Sequence, residues 1–195
     1  MKAFYTITLV LFGLFAHAQE LVNSYDIAVN GMNVGELTAS KHVDGDKTTY
    51  KLNSKSTISL LGKTTITTTC TVVFKNDILE SSTYLSEKNA TLYDSSTITE
   101  NNGVYTIIRK GKKTTWNKPI KYVTCQLYFE KPLKTEHYFD VLEAVFSPIK
   151  TIDPNNYLYI DASNNEKTTY SYANGVLEQG STKHLLYDFT FTLRR

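Results

Sequence analysis

Tyr25-Asp26-Ile27-Ala28-Val29-Asn30-Gly31-Met32-Asn33-Val34-Gly35-Glu36-Leu37 is the stretch that decides the fold. Tyr25, Ile27 and Val29 alternate with less apolar residues up to Asn30-Gly31, and apolar positions resume after it. Asn-Gly between alternating runs is a strong hairpin signal, because a type I′ loop needs positive φ at both central residues. With Asn30-Gly31 as the loop, Val29 faces Met32 and Ile27 faces Val34.

Further loops follow at hairpin spacing. Asp44-Gly45 places Leu37 opposite Leu52 and Ala39 opposite Tyr50. The first hairpin turns Met32 and Val34 inward, whereas the second turns Leu37 and Ala39 inward. One extra residue near Gly35-Glu36 reconciles them, so a β-bulge is expected there, with the sheet curling around it. Leu60-Leu61-Gly62 reads as a three-residue loop that pairs Leu52 with Cys70, Tyr50 with Val72 and Thr48 with Phe74. Asn76-Asp77 sets Phe74 against Leu79 and Thr68 against Leu85. Lys88-Asn89 sets Leu85 against Leu92 and Leu79 against Ile98. Asn102-Gly103 pairs Ile98 with Ile107, and Lys110-Gly111 pairs Tyr105 with Trp116. One face stays mostly apolar throughout, and a consistent face specifies register more strongly than any single pair. The opposite face carries Thr65, Thr67, Thr69 and Thr71 beside Lys51, Asn53 and Lys55, residues suited to a solvated pleat.

After Asn117-Lys118-Pro119 the meander pauses. Ile120 to Phe129 is short enough for one helix or one strand, and Pro132 ends it. Strands resume over Glu136–Leu142 and Ala144–Ile149, the latter stopped near Pro148. Asn164-Asn165 turns Tyr157 and Tyr159 onto Tyr172 and Tyr170, and Asn174-Gly175 pairs Tyr172 with Leu177. The last strand runs from Leu185 to Leu193 with clean alternation. The expected fold is all-β: an antiparallel up-and-down meander forming a β-barrel or strongly curved half-barrel, with at most one short helix near 120–129.

The 195-residue chain opens with Met1-Lys2, an apolar run from Ala3 to Phe15, and Ala16-His17-Ala18. A basic start, a short apolar core and an Ala-x-Ala end predict a secretory signal peptide over 1–18, leaving one domain over 19–195. The run falls short of the roughly 20 residues needed to span a bilayer. Export to the periplasm or the outside follows, with outer-membrane association as a variant. The formal charge of +2 loses one lysine with the signal, and a near-neutral chain carries no footprint for nucleic acid. Cys70 and Cys125 are a candidate disulfide in an exported chain, or small core residues.

The opening Tyr25-x-Ile27-x-Val29-x-Gly31-x-x-Val34-Gly35, the later Leu127-Tyr128-Phe129-Glu130-Lys131-Pro132 and the Tyr172-Ala173-Asn174-Gly175 turn resemble an uncharacterised, β-rich family of exported Bacteroidetes proteins. The resemblance spans most of the mature chain and implies the fold, with no activity attached.

No catalytic, metal or cofactor motif is present. His42, His137 and His184 are scattered near strand ends, and the two cysteines are far apart in sequence. A non-enzymatic role is expected, with no cofactor. The register does assemble one polar constellation on the inward face: Ser81 opposite Ser96, Thr83 opposite Asp94, and Ser96 opposite Arg109. Asp94 and Arg109 become diagonal neighbours flanked by Cys70. An inward acid is costly unless paired, which makes Arg109 its partner. Two readings stay open: a polar plug at a barrel mouth, or a ligand-binding group formed by Asp94, Arg109, Ser96 and Thr83 within an apolar cavity. The favoured function is carriage of an apolar or amphiphilic small molecule. The alternatives are an envelope protein with a filled core that binds a protein partner, and an outer-membrane barrel suggested by Tyr187, Phe189, Phe191 and Leu193 on one face.

Overall fold

A computed structural model describes residues 19–59, 62–133, 137–183 and 188–195. The expected signal peptide over 1–18, Leu60-Leu61, and Leu185 to Tyr187 of the last expected strand lie outside the described residues.

Eight strands follow one another through tight loops: β1 (Gln19–Val29), β2 (Met32–Asp44), β3 (Lys47–Ser59), β4 (Lys63–Lys75), β5 (Ile78–Lys88), β6 (Thr91–Asn101), β7 (Val104–Arg109) and β8 (Lys112–Trp116). Six more complete the chain: β9 (His137–Asp140), β10 (Val145–Thr151), β11 (Asn156–Ile160), β12 (Lys167–Ala173), β13 (Val176–Lys183) and β14 (Asp188–Leu193). All belong to one antiparallel sheet in the order β8-β7-β6-β5-β4-β3-β2-β1-β14-β13-β12-β11-β10-β9. The sheet is strongly curved and not closed. Its two edges, β8 and β9, are consecutive in sequence, whereas the first and last strands pair at its centre, Tyr25 opposite Leu193 and Val29 opposite Phe189.

The connection between the edges fills the concave side. Leu79 N–H donates to the Ile120 carbonyl (2.9 Å), Phe139 N–H to the Tyr122 carbonyl (2.8 Å), and the Tyr172 hydroxyl to the Leu127 carbonyl (2.8 Å). Within it, Thr124–Tyr128 forms a single 3₁₀ turn, the one short helix expected near 120–129. Ile120, Val123 and Cys125 complete a core cluster with Tyr50, Val72 and Ile98, while Leu127 joins a second cluster with Tyr25, Tyr172 and Phe191. The polar face falls outside: Lys51, Asn53, Lys55 and Thr69 are exposed.

Much of the expected register holds. Val29 faces Met32, Leu52 faces Cys70, Tyr50 faces Val72, Thr48 faces Phe74 and Phe74 faces Leu79. Ile98 faces Ile107, Tyr105 faces Trp116 and Tyr172 faces Leu177.

Where it departs, a bulge or a displaced loop is the cause. The first bulge leaves Val34 unpaired, so Ile27 faces Gly35 rather than Val34. Gly35 is glycine for another reason, since a Cβ there would stand 2.0 Å from the Lys55 carbonyl oxygen. The second loop is Gly45-Asp46, with Gly45 at φ +58°, so Ala39 faces Leu52 and Leu37 faces Ser54, a shift of two that preserves the faces. Glu80 bulges out of β5, which puts Thr69 rather than Thr68 opposite Leu85 and turns Ser82, Tyr84 and Ser86 inward. The next loop is Asn89-Ala90, both at positive φ, and Tyr93 bulges in turn. Ile98 therefore faces Ser82 instead of Leu79, and Leu85 faces Ser95 instead of Leu92. Pro148 does not stop β10: it faces the short edge strand β9, and the pairing with β11 starts only at Ile149, so its missing N–H interrupts no bond there. The β11–β12 loop is longer than Asn164-Asn165, and Tyr157 faces Tyr170, leaving Tyr157–Tyr172 and Tyr159–Tyr170 as ring contacts at 5.6 and 6.3 Å.

Candidate functional site

Two features meet on the concave side, a polar cluster and a cavity, and the β9–β10 turn belongs to both. Asp94 on β6 and Arg109 on β7 do come together, Arg109 Nη2 lying 3.3 Å from Asp94 Oδ2. Arg109 Nη1 also reaches Glu143 Oε2 at 2.7 Å, and Lys110 Nζ reaches Asp94 Oδ2 at 3.1 Å. The side chains of Asp94, Glu143 and Arg109 are 11, 17 and 21% exposed, and Lys110, at 60%, reaches in from solvent. Ser96, opposite Arg109 as expected, is buried and donates its hydroxyl to the Val141 carbonyl. The cluster thus straddles the opening of the sheet, tying β6 and β7 on one arm to the β9–β10 turn on the other. Trp116 of β8 adds an aromatic contact with Phe146 of β10, 5.1 Å between ring centres.

Thr83 takes no part in this cluster. The Glu80 bulge turns it to the exposed face, and Ser86 rather than Thr83 stands opposite Asp94. Ser81 is displaced likewise: Tyr84 faces Ser96.

Beside the cluster lies a cavity of about 220 Å³. Leu37, Leu52, Cys70 and Tyr84 form its sheet wall. The 3₁₀ turn contributes Cys125 and Tyr128, Tyr170 stands on β12, and Asp140, Val141 and Leu142 close the side nearest the polar cluster. Cys70 and Cys125 are free, buried thiols on this wall. Burial pushes the Cys70 thiol up to about 12 and raises Cys125 well above the ordinary thiol range. Neither is a ready nucleophile, because the thiolate is the reactive form.

Asp140 is the charged group of the cavity wall, beside the hydroxyl side chains Ser54, Thr68 and Thr124. Its Oδ1 accepts the N–H groups of Leu142 (2.8 Å) and Glu143 (3.1 Å), and its Oδ2 accepts the Tyr159 hydroxyl (2.6 Å). Desolvation nevertheless raises its pKa above the ordinary value, the hydrogen bonds offsetting part of that rise. Burial also raises Tyr159 and Tyr170, and the Asp140 charge adds to both. Sequence reasoning passed over Asp140 and Glu143, which sit around an edge turn that no hairpin register reaches. The one available signal was the Asp140-to-Glu143 spacing, where a carboxylate can cap the N–H groups that follow it.

A family model described as Domain of unknown function (DUF6134) matches residues 25–194, and the chain belongs to that family. No curated protein and no solved structure matches it.

Proposed function

We propose that this family member is an exported, non-enzymatic protein that holds a small apolar or amphiphilic molecule between the curved sheet and its 3₁₀ turn. The observation that carries the reading is the cavity of about 220 Å³, walled mainly by leucine, tyrosine and cysteine side chains. Ligand pockets commonly measure about 300–1,000 Å³, and an apolar cavity of about 150 Å³ can hold benzene. The size therefore suits one ring or a short branched chain rather than a full acyl chain. Export rests on the Met1–Ala18 pattern. An outer-membrane barrel fits less well: Phe189, Phe191 and Leu193 pack into the core, and a membrane-spanning sheet must close on itself. A protein-partner role draws on one observation, the exposed apolar corner of Leu85, Leu92 and Tyr93.

The test is expression of the full chain with export, N-terminal sequencing, native mass spectrometry of the purified protein, and titration with indole. The expected result is a chain beginning at Gln19 that binds indole in one site or arrives with a small molecule bound. Leu52→Trp, which fills the cavity, should abolish both. A chain that binds neither, or whose binding survives Leu52→Trp, overturns the reading.

A further inference from the structure

Asp140 is an acid without a cation. Every positive side chain of the neighbouring cluster is engaged elsewhere: Arg109 with Asp94 and Glu143, Lys110 with Asp94. Among the described residues none forms an ion pair with Asp140, and the cavity wall contains no lysine, arginine or histidine. Asp140 is half-buried, and a partly desolvated carboxylate without a counter-charge is unfavourable; a neutral amide would meet a purely structural need at lower cost. Its hydrogen bonding is also incomplete. A carboxylate has about four lone-pair sites, and the three bonds described leave Oδ2 with a single partner. Tyrosine rings, here Tyr84, Tyr128 and Tyr170, attract a cation that lies over their faces.

We infer that the cavity selects a small organic ammonium ion, its charge seated against Asp140 Oδ2 and its apolar part among Leu37, Leu52 and Leu142. The inference rests on the cavity being a ligand site. Anions are excluded by the carboxylate, and a neutral molecule of the same shape fills the space while leaving the charge unanswered.

Three probes sharing one ring test it on the chain from Gln19: benzylammonium chloride, benzyl alcohol and benzoate, each titrated by ligand-observed NMR. Benzylammonium should bind at least about tenfold more tightly than benzyl alcohol, about 1.4 kcal/mol, and benzoate should not bind. Asp140→Asn should bind benzyl alcohol as before and lose the preference for the ammonium. Benzyl alcohol binding as tightly as benzylammonium, or benzoate binding comparably, overturns the ligand class and leaves a neutral-ligand site standing. Retention of the preference in Asp140→Asn also overturns it. Binding of none of the three removes the ligand site together with the inference. The wild-type comparison decides the matter even where Asp140→Asn fails to fold.

Discussion

Burial sets the ionisation of Asp140, and the sign of its effect on stability follows. Its folded pKa is raised above the ordinary 3.8. Between the two values the folded chain holds more protons than the unfolded one, so stability falls as pH rises through that window. The contribution is fully present below about 3.8 and is lost above the raised value. Urea denaturation of the wild type and of Asp140→Asn across the acid range should show the wild type losing stability relative to the variant as pH climbs. Parallel profiles would mean that the carboxyl is solvated. At this scale the sequence was partly legible. Asp94, Ser96 and Arg109 could be placed because two one-residue register errors, the bulges at Glu80 and Tyr93, cancel in parity, while the two-residue shift of the Asn89-Ala90 loop preserves the faces. Thr83 lies between those two errors and was assigned the wrong face. Asp140 and Glu143 left only their capping spacing to read, because side chains beyond the meander are positioned by tertiary contacts and not by register.

Hairpin loops and bulges explain what was legible among the elements. Asn30-Gly31, Asn102-Gly103 and Asn174-Gly175 were found because Asn-Gly accepts the positive φ that a type I′ loop demands. Asn89-Ala90 was missed because alanine is seldom expected at φ +62°. Bulges at Glu80 and Tyr93 leave no compositional mark, and each moves a whole face, whereas the bulge at Val34 lies beside Gly35, where the change of inward parity placed one. Gly35 shows how closely the strands approach beside one of them. Gly35→Ala would drive a methyl into the Lys55 carbonyl and the Ser56 Cα, both backbone, so only a strand shift relieves it. A cost of about 1–3 kcal/mol or more is expected, the range of overpacked sites. Urea stability within about 0.5 kcal/mol of wild type, as for ordinary surface changes, would show that β2 and β3 separate freely.

Across the whole molecule, the polar cluster works as a clasp over the open side of the sheet, where the edge strands β8 and β9 share no ladder. Arg109 holds Glu143 of one arm and Asp94 of the other. Arg109→Leu strands Glu143, while Asp94 keeps Lys110, so a loss near the lower end of the roughly 3–5 kcal/mol for breaking a buried pair is expected. Adding Glu143→Met should recover part of it, since the stranded charge is gone; an unchanged double variant would show that the ion pair is not what joins the arms. The opposite side of the sheet is joined differently. β1 and β14 meet there, and Asp26 and Arg194, ion-paired at 2.6 Å, are 168 positions apart in the chain. The remaining ladders are hairpins of near neighbours, which zip quickly, whereas contacts between distant segments carry a large loop-closure entropy and form slowly. Until β1 meets β14 the chain is two separate meanders, each ending in a bare strand edge of the kind that pairs with other chains. The slow and aggregation-prone stage of folding therefore belongs to that central seam, whose Tyr25 and Phe191 also pack on Tyr128 and Tyr170 of the cavity wall, rather than to the clasp.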